Sequence, residues 1–129
     1  MDVKYEVNSG YLYVNVSGEF IFSSVKDILP EAIEKAHSHS LNKILCDLTH
    51  LKGFDAQQTS TETRFNVANL IADTIPINFR VVILETPMQV IGGRFGENVM
   101  TDRGVSVKVT SNIEEALEWL GVVSYKKKN

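Results

Sequence analysis

The sequence predicts an α/β fold: a mixed, mostly parallel sheet of about five strands, opened by an N-terminal hairpin and packed with about four helices. Three observations predict it. Two short alternating runs flank a turn at Asn8-Ser9-Gly10. Two short, mainly apolar runs, at residues 44–48 and 80–84, read as strands buried on both faces. Segments of helical period separate the strands, and such alternation implies parallel pairing through right-handed crossovers.

The elements follow in order. Val3, Tyr5 and Val7 alternate with Lys4, Glu6 and Asn8, and Leu12, Val14 and Val16 alternate with Tyr11, Tyr13 and Asn15. Around turn chemistry this is a hairpin. Ser17-Gly18 ends the second strand. Val25, Ile28, Leu29, Ala32, Ile33 and Ala36 share one stripe of a helix over residues 24–37, with Pro30 inside it. Proline removes a donor and crowds the preceding turn, so either the helix kinks or Pro30 starts it after a short first turn.

Residues 44–48 form a strand, and Thr49 to Asp55 read as a loop. A helix over residues 57–75 sets Glu62, Asn66, Asn69 and Asp73 against an apolar face of Thr61, Phe65, Ala68, Ala72 and Ile75, and Pro76 ends it. RVVIL at residues 80–84 is a strand. Residues 87–100 read as a helix weakened by Gly92, Gly93 and Gly96. Val105, Val107 and Val109 alternate in a half-exposed strand. Ser111 to Glu114 fits a capping box, before a stripe of Ile113, Ala116, Leu117 and Leu120.

At 129 residues the chain has the length of one domain, with a core over residues 3–120 and a basic tail over 121–129. A chain of this length buries roughly two-thirds of its unfolded surface, enough for a core without disulfides. A net charge of −3 disfavours nucleic acid as a partner. Lys126 to Lys128 read as a solvated tail. No apolar run is long enough to span a bilayer, so integral membrane association is not expected. Cys46 is the one cysteine and MDVKYEV is unlike a secretory leader, so the cytoplasm is the expected compartment.

On the run ILCDLTHLKGFDAQQ at residues 44–58, on GENVMTDRGVSVKV followed by EEALEWL, and on element order, the chain resembles the STAS family. The ending looks like a small bacterial branch of it, related in fold to CRAL-TRIO lipid-binding domains. The resemblance implies a regulatory, protein-binding module. In phosphorylatable members such as anti-sigma-factor antagonists, a serine directly follows an aspartate at the start of the second helix. Here Phe54-Asp55 matches and the serine position falls on Ala56, which has no hydroxyl. The resemblance therefore does not extend to the usual phosphoswitch. Thr59, Ser60 and Thr61 lie one turn further on as substitute hydroxyls.

Asp47, His50 and Asp55 surround one loop at the carboxyl end of a central strand, where ligands bind in open α/β sheets. Asp55 fits a helix cap, Asp47 a loop pin, and His50 is a candidate proton shuttle. With Ala56 and Gln57 they outline an interaction surface, to which Arg94, Phe95 and Arg103 are further candidates for anion or groove contacts. His37 and His39 lack a third metal ligand, and no nucleophile elbow is present, so neither metal nor cofactor is expected. Three functions follow: a non-catalytic interaction module, as monomer or homodimer; a carrier or sensor of a small apolar ligand, for which Met88 to Met100 is the adaptable segment; and a small enzyme using Asp47, His50 and Asp55.

Overall fold

The computed structural model describes residues 1–55, 58–91 and 93–122, without the side chains at 93–95. Among these residues five strands and five helices follow in order: β1 (Asp2–Asn8), β2 (Tyr11–Glu19), α1 (Phe22–Ser38), β3 (Lys43–Lys52), α2 (Thr61–Thr74), β4 (Arg80–Leu84), α3 (Pro87–Val90), α4 (Gly93–Asp102), β5 (Ser106–Thr110) and α5 (Ile113–Leu120). The sheet runs β1-β2-β3-β4-β5, with β1 antiparallel to β2 and the other neighbours parallel. Sequential order has a consequence for layering. Right-handed crossovers between adjacent parallel strands carry each connecting helix to the same face. Accordingly α1, α2 and α4 bury Ala32, Ala36, Val67, Ala68 and Met100 against Val14, Ile44, Val81 and Val107. Among the described residues only α5 reaches the other face, where Ala116, Leu117 and Leu120 pack on Leu45, Val82 and Leu84.

Several expectations shift. Pro30 sits inside one continuous α1 rather than starting a helix. Strand β2 runs on through Gly18, whose φ of 92° suits glycine, to Glu19. The expected helix over 57–75 begins at Thr61, capped by the Ser60 hydroxyl, which accepts from Thr63 N at 3.1 Å. Its buried side is Val67, Ala68 and Ile75 with Ile71 packed beside them, while Phe65 is 44% exposed. Ala68 belongs to both helical stripes, and packing against α4 selects the one containing Val67. The expected helix over 87–100 divides into α3 and α4. Asn112, not Ser111, caps α5 by accepting from Glu115 N, and Ile113 is exposed.

The largest difference is in β3, which continues to Lys52 through the segment expected to be a loop. Asn15 pairs with Asp47 and Ser17 with His50, so β3 carries one extra residue opposite β2. This is a β-bulge. Because strand faces alternate, the extra residue moves Leu51 onto the face already occupied by Ile44, Cys46 and Leu48, and it is buried there.

Candidate functional site

The bulge organises the carboxyl end of the sheet. Asp47 anchors it: Oδ1 accepts from Thr49 N at 2.9 Å and Thr49 Oγ1 at 2.6 Å, and Oδ2 accepts from Tyr13 Oη at 2.5 Å. The side chain is 6% exposed. Burial alone raises a carboxyl pKa, but the bonds from Thr49 and Tyr13 outweigh it and hold Asp47 below the usual range. Burial, then the bond to Asp47, raises the Tyr13 phenol. Asn15 donates to Tyr13 Oη at 3.1 Å and lies 3.4 Å from His50 Nδ1. Asp47 thus pins the backbone as expected. It and His50 share the sheet face that α5 leaves uncovered over β1 and β2, where His50 lines a hollow with Lys4, Glu6 and Ser17.

Asp55 lies elsewhere. It does not cap α2, which Ser60 caps. Its carboxylate accepts from Gln58 N at 3.0 Å and Gln58 Nε2 at 3.1 Å, closing a separate turn before the helix. Thr59 is buried and donates to Gly53 O at 2.5 Å; Thr61 is exposed at the first turn of α2. Asp55 and Gln58 border a second hollow with Glu19, Lys52, Thr86 and Met88. On its rim Met88 is 53% exposed, and Ile91, three residues on, is 70% exposed. The structure therefore separates Asp55 from the Asp47–His50 network. Ala56 and Gln57, the side chains of Arg94 and Phe95, and the tail from residue 123 lie outside the described residues. Arg103 is engaged within the chain, by an ion pair to Asp73 and a 2.9 Å bond to Asn69 Oδ1, and straps the end of α4 to α2.

Residues that sequence reasoning passed over complete the region. Gln89 is buried; its Oε1 accepts from Thr86 N at 2.7 Å, and its Nε2 donates to Leu48 O and Leu51 O at 2.9 and 3.1 Å. It ties α3 to the bulge. Glu85, directly after β4, is 4% exposed, and its Oε1 is the one buried side-chain oxygen or nitrogen without a hydrogen-bond partner among the described residues. Burial pushes its pKa up to about 7, with Arg64 opposing and Glu97 adding to the shift. An acidic residue ending the apolar run RVVIL was the available signal.

Glu85 lines a cavity of about 60 Å³ with Arg64, Ala68, Gly96 and Met100. An apolar cavity of about 80 Å³ adjoins it, bounded by Val16, Val25, Leu29, Cys46 and Ile75. Both are lined by Leu48, Phe54, Val67, Ile71 and Ile83. Burial, then the nearby Asp47 and Glu85, pushes the Cys46 thiol up to about 12, so it stays protonated and unreactive.

A crystal structure of an anti-sigma factor antagonist from Mycobacterium paratuberculosis matches at a TM-score of 0.60 and 14% identity, covering 93% of each chain. The fold is STAS-like. The unphosphorylated form of the anti-sigma factor antagonist SpoIIAA matches at 0.52 and 14% identity, covering 95% of this chain and 100% of that one. The NMR structure of the protein TM1081 matches at 0.53 and 16%, covering 91% and 86%. No protein-family profile and no curated protein matches the chain. No helix among the described residues is long and apolar enough to cross a membrane.

Proposed function

We propose that the protein is a non-catalytic regulatory module of STAS type that works by binding another protein, without the serine usually phosphorylated in such modules. Its working surface is the hollow at the carboxyl end of β3, bordered by Asp55, Gln58, Thr86 and Met88. The observation that carries the reading is the exposure of Met88 on the hollow's rim and of Ile91 three residues on, in a fold whose solved examples include anti-sigma factor antagonists. Methionine is flexible and adapts to a partner's surface. The net charge of −3 favours a protein over nucleic acid. Ala56 stands where the resemblance expects the phosphorylated serine, so partner choice here does not use that group.

Affinity capture from the source organism tests this. The wild-type chain is expected to retain one specific protein, and the double variant Met88→Asp, Ile91→Asp is expected to lose it while keeping its melting temperature. Capture of nothing specific, or of the same protein by both, contradicts the reading. A second reading, a carrier or sensor of a small apolar ligand, is favoured by the adjoining cavities beneath Phe54.

A further inference from the structure

Glu85 has no task in the interaction surface, yet it is placed as a binding group. It follows a central parallel strand at the carboxyl end, where open α/β sheets hold ligands. Its unpartnered Oε1 belongs to a side chain that lines a cavity whose other walls include Phe54, Val67, Ile71 and Met100. A buried oxygen without a donor is costly, so a purely hydrocarbon occupant leaves that cost in place. Charge narrows the choice further. Arg64 on α2 and Glu97 on α4 are the charged groups that act on Glu85; the Cys46 thiol on β3 faces it as well, and Gln89 on α3 and Val109 and Thr110 on β5 are uncharged. One guanidinium beside two carboxylates leaves room for one positive charge, and disfavours an anion.

We propose that the adjoining cavities around Glu85 form a binding site for a small apolar amine, whose ammonium donates to Glu85 Oε1 while its hydrocarbon part lies against Phe54, Val67, Ile71 and Met100. The site rests on the apolar-ligand reading and is independent of the interaction surface. Size agrees: cavities of about 80 and 60 Å³ that share five lining residues approach the ~150 Å³ that accommodates a benzene ring. The ammonium competes with a proton for the carboxylate, so binding strengthens as pH rises through the Glu85 value of about 7.

The test titrates benzylamine, isobutylamine, toluene and isovalerate into nitrogen-labelled protein, at about pH 8 and about pH 5.5, and reads amide shifts by NMR. The amines are expected to bind at the higher pH, with shifts centred on Glu85, Met100 and Val109. Glu85→Gln is expected to weaken amine binding by about tenfold or more and to leave toluene binding unchanged. Should that variant lack a cooperative melt, the pH series on the wild-type chain decides, with a loss of about tenfold or more expected at the lower pH. Toluene binding without preference for amines overturns the ammonium site and spares the apolar-ligand reading; binding of neither overturns both. Isovalerate binding, or amine binding that ignores pH and Glu85→Gln, also overturns the site.

Discussion

The Tyr13 hydroxyl donates to Asp47 Oδ2 at 2.5 Å, joining β2 to β3 at the point where β3 bulges. The same carboxylate holds Thr49 through its other oxygen, so one buried aspartate fixes both the strand pairing and the extra residue.

Removing the phenolic donor tests this arrangement. Tyr13→Phe is expected to lower stability by about 1.5–3 kcal/mol, the range of a hydrogen bond to a charged acceptor, and Asp47→Ala by more because Thr49 loses its acceptor too. Urea unfolding checks the order. The sign with pH follows from the lowered Asp47 pKa. A carboxylate favoured in the folded state contributes fully above the usual aspartate value and loses that contribution as pH falls through its lower folded value. Asp47→Asn is therefore expected to flatten acid unfolding of the wild-type chain in that window.

Glu85 predicts the opposite slope. Its folded pKa of about 7 stands above its ordinary 4.5, so the folded state holds the proton longer than the unfolded state does. Stability then falls as pH rises from about 4.5 to 7 and levels off above. Glu85→Gln is expected to melt higher than wild type at about pH 8, by up to roughly 3 kcal/mol, and the gap closes near pH 4.5. A wild-type melting temperature indifferent to pH across this window contradicts the assignment.

Ser60 offers a local check on where α2 begins. Ser60→Ala is expected to cost about 1 kcal/mol through the lost cap to Thr63 N, whereas Asp55→Ala leaves the helix terminus capped. Guanidinium unfolding of the two variants, with helix content read by circular dichroism, separates the roles.

The layered α/β architecture was legible because Ile44 to Cys46 and Val81 to Leu84 are apolar runs of strand length and the hairpin alternates cleanly. The bulge was not. Thr49-His50 breaks the apolar run and reads as loop, and only the partner strand reveals that pairing resumes one residue out of step. Asp55 looked like a helix cap because an aspartate before a polar stretch fits that role equally well; Ser60 lies at the actual start of α2. Glu85 was missed because no pattern distinguishes a carboxylate that turns inward from one that turns to water. Its position at the end of β4 was the usable clue, and burial by α2 and α4 is a tertiary fact.

The central claim is that the carboxyl end of β3, with α3, is a protein-binding surface. Hydrogen–deuterium exchange on the chain with and without its captured partner tests it most directly. Protection concentrated at residues 52–55, 58–60 and 86–91 is the predicted result. Protection confined to α5 or to the β1–β2 face would contradict the account.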